Sequence, residues 1–308
     1  MWYNNKKNIY IRIMREEYKL NFCKKLCSLF LATLMVFSIA ACAGTSQTGA
    51  APEEVIQTAK TNMQAVTNLE SEKVVDMSMS MGEETLNLKT SANITTFTDP
   101  MKLKIAMTMD MGEEFGGPQT SEIYADETDG NINIYMNIMD AWYKQAVSTE
   151  QLITYDTKQS VATYLDTVTD LKQTATEQIN GANATKYDGV ITGAKMKEAV
   201  EATGALESLQ SMLAGLNMDA QTLYDGLSDI SISIWIDERG YPVKCEMDMT
   251  KMGQDLMTKL MQASGNTAGE GITIGNMTLS FVNKNFNQAA EFEIPEEAKN
   301  ASEINMQQ

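Results

Sequence analysis

The strongest structural signal in this sequence is the alternation of apolar and polar residues at every second position. The stretch VVDMSMSMG at 74–82 shows it clearly, because serines separate Met77, Met79 and Met81. Successive side chains of a β-strand point to opposite faces of a sheet, so each alternating run predicts a strand with one apolar face. Similar runs occur at 86–94, 101–111, 132–138, 230–236 and 243–249. A chain with this pattern must bring its apolar strand faces together and cover them.

Turn signals join several of these runs into hairpins. The dipeptides Asp-Gly at 129–130 and Asn-Gly at 180–181 favour tight turns between strands. The second of them divides a weaker strand pair at 176–191. Gly275 interrupts the alternation of the last predicted strand, which predicts a bulge at that position. The bulge would direct the following apolar residues to the apolar face: Met277, Leu279 and Phe281.

Helical spacing predicts four further segments, at 53–69, 148–170, 194–227 and 253–270. The first follows Pro52, a residue that a helix start tolerates. The second begins with a capping-box pair, Ser148 and Gln151. The last interrupts the strands, and the pattern leaves open whether it forms a mobile lid. Strands with one apolar face and helices between them predict an α+β fold with an antiparallel sheet covered by helices.

Residues 1–41 read as an export signal rather than as part of the fold. A basic flank at Lys24 and Lys25 precedes an apolar stretch at 26–41, which is short for a membrane span. That stretch ends in Ile-Ala-Ala-Cys, which resembles the lipobox of bacterial lipoproteins. The resemblance implies that Cys42 receives diacylglycerol and becomes the N-terminus after cleavage.

The same reading divides the chain into three parts. A small and polar stretch after the signal suits a flexible tether that separates a folded domain from the membrane. The alternatives are an uncleaved signal or a plain transmembrane anchor, and translation can start at either Met1 or Met14. We therefore expect a signal peptide at 1–41, a tether at 42–52 and one domain at 53–308.

Charge and composition exclude several functions. The chain is acidic, with a net charge of −17 at pH 7, and such a surface repels nucleic acid and anionic headgroups. It contains no histidine, so it cannot use a Ser-His-Asp or Cys-His mechanism or a His-ligated zinc site. No nucleophile motif replaces these mechanisms. The sequence predicts a protein that is not an enzyme and that has no cofactor.

A copper site is the one metal hypothesis that the sequence raises. Cys245, Met247 and Met249 share one predicted strand face, and thiolate and thioether sulfur are the soft ligands that select Cu(I). The absence of histidine and the regular placement of methionine at core positions favour an apolar role instead. We therefore expect no metal site.

The order of these parts resembles the LolA/LppX-like superfamily of lipoprotein-localisation and lipid-carrier proteins, and most closely an uncharacterised lipoprotein family of Gram-positive bacteria. The resemblance rests on the lipobox, the tether and helix, the Met-rich strands, and the stretches IYMNIMDAWYKQ and ISIWIDERGYPVKCEMDM. It implies a strongly curved antiparallel sheet, an incomplete barrel, with helices packed on its concave face. It also implies a hydrophobic cavity for acyl chains between the sheet and the helices.

Two functions remain open at this stage. In the first, an envelope lipoprotein on the outer face of the cytoplasmic membrane, anchored through acylated Cys42, binds a lipid or another hydrophobic ligand without chemistry. Adaptable methionine side chains suit such a site. In the second, the apolar face is fully packed, and a structural or sensory lipoprotein binds another envelope protein; an exposed Trp235 would mark such a surface. The candidate ligand residues are Met77, Met79, Met81, Met107, Met109, Met111, Met247 and Met249.

Overall fold

In the part of the chain that the computed structural model describes, the main element of the fold is a sheet of 12 strands. The described residues are 51–128, 130–138, 141–148, 165, 167–202, 220–263 and 272–303. They all belong to one structural unit, 39–308. A chain that begins at Ala43 therefore keeps every described helix and strand.

The strands are β1 (Asn68–Met81), β2 (Glu84–Thr98), β3 (Met101–Asp110), β4 (Gln119–Thr128), β5 (Asn131–Ile138), β6 (Ala141–Ser148), β7 (Val168–Ile179), β8 (Ala182–Ile191), β9 (Ile230–Asp237), β10 (Pro242–Asp248), β11 (Ile272–Lys284) and β12 (Ser302–Glu303). The described helices are α1 (Pro52–Gln64), α2 (Gly193–Ala202), α3 (Ala220–Leu223), α4 (Thr250–Ala263) and α5 (Glu296–Lys299). A short 3-10 turn covers Glu113–Phe115.

The strand order is β12-β6-β5-β4-β3-β2-β1-β11-β10-β9-β8-β7. All neighbours are antiparallel except β12 and β6, which run parallel over two residue pairs. Strands β7 and β12 are the two ends of this order and do not pair with each other, so the sheet is an incomplete barrel. This architecture confirms the predicted α+β fold with an antiparallel sheet.

Strand β1 lies inside the sheet and pairs with β2 on one side and with β11 on the other. The predicted bulge in β11 is confirmed, because the register shifts between Ser78 and Met79 and leaves Gly275 without a partner in the ladder. A Cβ atom at Gly275 would lie 2.8 Å from the Ser78 hydroxyl oxygen. Glycine is therefore the residue that this close approach of β1 and β11 requires.

The turn predictions are confirmed where the chain is described. Asn180 and Gly181 join β7 to β8, and their φ angles of 52° and 80° are the left-handed values of a tight hairpin turn. Gly130 also has a positive φ, 74°, at the start of β5. The chemistry of the turn residues thus set the hairpin positions.

The helix boundaries differ from the prediction in several places; α4 begins at Thr250 rather than at 253, and α3 ends at Leu223 rather than at 227. Helix α1 ends at Gln64, whereas the predicted helix continued to Leu69; that residue is buried in β1. The predicted helix at 148–170 is wrong at 168–170, which begin β7, because pairing with β8 decides the conformation there. Most of that predicted helix, like 203–219 and 264–271, lies outside the described residues.

Helix α4 packs on the apolar face of the sheet, as predicted for the helices. A Cβ atom at Gly253 would lie 2.5 Å from the sulfur of Met277, so the helix backbone approaches β11 very closely. Two hydrogen bonds fix it there: Met277 N–H donates to the Thr250 hydroxyl at 3.0 Å, and Ile274 N–H donates to the Gln254 side-chain oxygen at 2.7 Å.

The chain after β11 covers the opposite face, which the sequence analysis did not foresee. Phe292 contacts Phe97 and Tyr124, with ring centroids 6.0 Å apart in each pair. Ala298 in α5 is completely buried. This C-terminal segment therefore protects apolar side chains on the outer side of β2 to β5 and ends as β12 beside β6.

Gly193→Ala should lower the stability of the fold, because a Cβ atom there would lie 2.0 Å from the carbonyl oxygen of Leu227. Overpacking against backbone typically costs about 1–3 kcal/mol or more. Urea unfolding followed by circular dichroism would measure this loss. Ala194→Ser adds one atom at an exposed neighbouring position and should change stability by less than about 0.5 kcal/mol. Equal stability of the two variants would contradict the packing described for Gly193.

Candidate ligand-binding face

The register of the strands determines which side chains share the face on which α4 packs. We call this the inner face. One row of cross-strand partners crosses it, from β9 to β4: Ile234, Cys245, Phe281, Lys73, Ala92, Met107 and Ser121. The positions two residues away along each strand belong to the same face.

The inner face is closed on one side and partly open on the other. On β1, β9, β10 and β11 its apolar side chains are mostly buried. On β3 every residue is only half-buried, and so are three inner-face residues of β4 and β5, whereas Ala125 and Ile132 on the same strands are buried. We call this half-buried set the open strip, and it comprises Leu103, Ile105, Met107, Met109, Ile123, Ile134 and Met136.

The open strip is continuous across three strands. Ile105 pairs with Ile123, and Ile123 pairs with Met136 in the next strand. Three of its members on β3 also pack against a buried cluster that includes Leu69 and Ile94. The strip therefore joins the core along one side, and its side chains stay partly accessible.

The predicted methionine candidates fall into two groups. Met107 and Met109 belong to the open strip, and Met111 follows β3 and is half-buried. The closed group is buried against the rest of the core: Met77, Met79, Met247 and Met249.

Two further predicted site residues lie elsewhere. Met81 ends β1 and is 42% exposed, so it lies at the rim of the sheet. Cys42 is outside the described residues. Met107 and Met109 thus lie together with other half-buried apolar residues. The alternation of the sequence does not distinguish such residues from fully buried ones.

A lysine interrupts the inner face. Lys73 is only 2% exposed and lies between Ala92 on β2 and Phe281 on β11. Our expectation of a continuous apolar face is therefore wrong at this position. The alternation of β1, extended backwards from Val75, would have found Lys73 and Ser71, but the prediction began the strand after them.

Lys73 lies among other buried polar side chains. Ser71 donates a hydrogen bond of 2.6 Å to the Asn283 side-chain oxygen, and Asn283 donates through its amide to the Pro242 carbonyl at 3.0 Å. Thr90, diagonal to Lys73 on β2, is 2% exposed. We call Ser71, Lys73, Thr90 and Asn283 the polar island. It lies on the inner face of β11, β1 and β2, next to the open strip.

Burial has a large effect on the charge of Lys73. Loss of solvation lowers its pKa from the ordinary 10.5 to about 7. The ammonium form is therefore costly in the folded protein, and Lys73 titrates near neutral pH. Side chains with strongly shifted pKa values are concentrated at functional sites.

The copper hypothesis gains no support from the geometry of β10. Cys245 is fully buried, and loss of solvation raises the pKa of its thiol far above neutral. A thiol that stays protonated is a poor metal ligand, because the thiolate is the ligating form. In the described part of the chain, no group of three or more His, Cys, Asp or Glu side chains is placed to hold a metal ion.

Trp235 lies on the face opposite the inner face, as predicted, but it is only 2% exposed. The ammonium groups of Lys186 and Lys244 lie 5.2 and 4.3 Å from its ring centroid. Strand side chains thus cover this ring. It does not form the exposed partner surface that the second hypothesis suggested.

None of the described helices is both long and apolar enough to cross a bilayer.

The fold defines a class of single-sheet α+β proteins with one apolar face, and the sequence places this chain in a family. The chain belongs to the family of unknown function DUF6612, whose model matches residues 51–303. No curated protein sequence matches it.

Several solved structures are similar to the chain. The lipoprotein LppX of Mycobacterium tuberculosis is 16% identical with a TM-score of 0.40, and the match covers 80% of this chain and 100% of LppX. LprF of Mycobacterium bovis is 12% identical with a TM-score of 0.45, covering 83% and 100%. A putative outer membrane lipoprotein-sorting protein domain of Vibrio parahaemolyticus is 8% identical with a TM-score of 0.24, covering 80% and 96%. At these identities and TM-scores the likeness says nothing about a ligand.

Lys73→Met keeps the side-chain length and removes the group whose pKa is lowered by burial, so it should abolish the pH dependence of stability that Lys73 causes. Between about pH 7 and 10.5 the unfolded chain binds more protons at Lys73 than the folded one does. Wild-type stability should therefore rise with pH across this window relative to the variant. Urea unfolding at several pH values would measure the difference.

Lys89→Met is the matched control, because Lys89 is exposed and points to the outer face of β2. It should change stability by less than about 1 kcal/mol at every pH. A pH-independent difference between wild type and Lys73→Met would contradict the burial of the ammonium group.

Proposed function

We propose that this protein is an envelope lipoprotein that binds a lipid or another long hydrophobic ligand on the open strip, without chemistry. The supporting observation is the open strip itself: seven large apolar side chains on three adjacent strands stay half-buried, while their neighbours on β1 and β2 are buried. Contiguous apolar surface that stays partly accessible commonly marks a binding site.

The chemistry of the strip suits an acyl chain. It contains aliphatic and thioether side chains and no charged group: Leu103, Ile105, Met107, Met109, Ile123, Ile134 and Met136. Methionine is unbranched and polarisable, so it adapts to flexible chains of different shape. Each methylene removed from water contributes about 0.8 kcal/mol, so a ligand with a long chain gains most of its affinity here.

The anchor part of the proposal rests on the lipobox at Cys42. Two acyl chains on one cysteine are sufficient for stable membrane attachment. The tether at 42–52 then leaves the domain close to the outer face of the membrane, where a lipid ligand is abundant. Such a protein would extract, present or sense lipid locally rather than carry it over long distances.

Replacing both Met107 and Met109 by glutamine should weaken ligand binding about tenfold. Glutamine keeps the length of the side chain but places a polar amide on the open strip, and a loss of about 1.4 kcal/mol is one factor of ten in affinity. The measurement is a fluorescence titration of the chain from Ala43 onward with an environment-sensitive fatty acyl probe.

The matched control is Thr108→Gln, which lies between the two methionines and points to the outer face of β3. It should bind like the wild type. If the wild-type protein does not bind the probe, or if the control and the methionine variant weaken binding equally, the proposed site is wrong.

Cys42→Ser should release the protein from the membrane, because serine cannot form the thioether that carries diacylglycerol. We expect metabolic labelling with an alkyne-modified palmitate to mark the wild type and not the variant. The wild type should sediment with membranes. Labelling that persists in the serine variant would show that the anchor is elsewhere.

A further inference from the structure

The thioether sulfur atoms of the described chain differ in their access to solvent. The methionines of the closed group are at most 7% exposed, whereas Met107, Met109 and Met136 of the open strip are half-buried. The susceptibility of a methionine to oxidation follows its exposure. A small oxidant in water therefore reaches the sulfur atoms of the strip, and it reaches those of the closed group only when the core opens.

The three methionines of the strip lie on one surface. Met107 and Met109 are two residues apart on β3, so their side chains share a face about 7 Å apart. Met136 pairs with Ile123, which pairs in turn with Ile105 of β3. Oxidation of any of the three would place a polar oxygen on the same apolar surface.

The thiol of Cys245 does not compete for such an oxidant. Cys245 is 3% exposed, and burial raises the pKa of its thiol far above neutral. Thiols react with oxidants mainly as thiolates, so a buried and protonated thiol reacts slowly. In the described part of the chain, a peroxide that enters the inner face therefore meets thioethers and no thiolate.

Resting on the function proposed above, we propose that Met107, Met109 and Met136 are a site of oxidation by hydrogen peroxide, and that their conversion to sulfoxides releases the hydrophobic ligand. A sulfur lone pair attacks one peroxide oxygen, so an S–O bond forms and the O–O bond breaks. The other oxygen leaves as water with both hydrogens. The sulfur loses two electrons and the peroxide gains them. A sulfoxide is polar, and it lies where the ligand needs apolar surface.

Peptide mass spectrometry after limited peroxide treatment of the chain from Ala43 onward measures the order of oxidation. Sulfoxide should form at Met107, Met109 and Met136 at least about tenfold faster than at Met77. Met81, which is 42% exposed at the rim, should oxidise readily and serves as the reference. Saturation with dansylaminoundecanoic acid should slow oxidation on the strip and leave Met81 unchanged.

A binding titration measures the consequence. After catalase removes the peroxide, the oxidised wild type should bind dansylaminoundecanoic acid at least about tenfold more weakly than the untreated protein. Methionine sulfoxide reductase should restore the affinity. The matched variant carries Met107→Leu, Met109→Leu and Met136→Leu, which conserve volume and keep the strip apolar. It should bind the probe equally well before and after peroxide.

Each contrary result has a distinct meaning. The inference is wrong, while the proposed function stands, if Met77 oxidises as fast as the strip or if the oxidised wild type still binds like the untreated protein. It is also wrong if the leucine variant loses binding after peroxide as the wild type does. Reductase treatment tests the same point without a variant, and affinity that stays low after reduction would overturn the inference. If the untreated wild type does not bind the probe, the proposed function fails and the release of ligand fails with it.

Discussion

The pairing of β1 with β11 is the interaction on which the rest of the structure depends. It joins the first strand of the domain to the last long one, and every other strand is added on one side or the other. Its register places Val75 opposite Leu279 and Met77 opposite Met277, so it also decides which face is apolar. A slip of one residue would turn these side chains outward. The bulge at Gly275 keeps the same face apolar to the end of the pair.

That face has two sides that differ in burial. Around β11 it is closed, because α4 approaches so closely that Gly253 has no room for a side chain. Around β3 it stays half-open, although its residues are as apolar as those of the closed side. The hydrophobic ligand proposed above would cover this half-open side. Lys73 is buried on the same face, next to that side.

The sequence predicted the strands well and the site only in part. Alternation located most of the strands, Gly275 predicted the bulge, and Asn180-Gly181 predicted a hairpin, because local chemistry determines these features. Helical spacing failed at 168–170, where pairing with β8 overrides it. The alternation predicted both Met107 and Met77 as ligand residues. It shows which face a side chain occupies, but it does not show how far other elements cover that side chain. Lys73 was missed because the predicted strand began after it, and its burial depends on strands distant in sequence.

Native mass spectrometry of the chain from Ala43 onward, purified from the periplasm or medium of a bacterial host without added lipid, tests the central claim most directly. We predict a bound species with the mass of a lipid or another long-chain hydrophobic molecule, which collisional activation releases. The Met107 and Met109 glutamine variant should retain much less of it. A wild-type protein that appears only at its own mass, and that takes up no acyl lipid when supplied with it, would contradict this account.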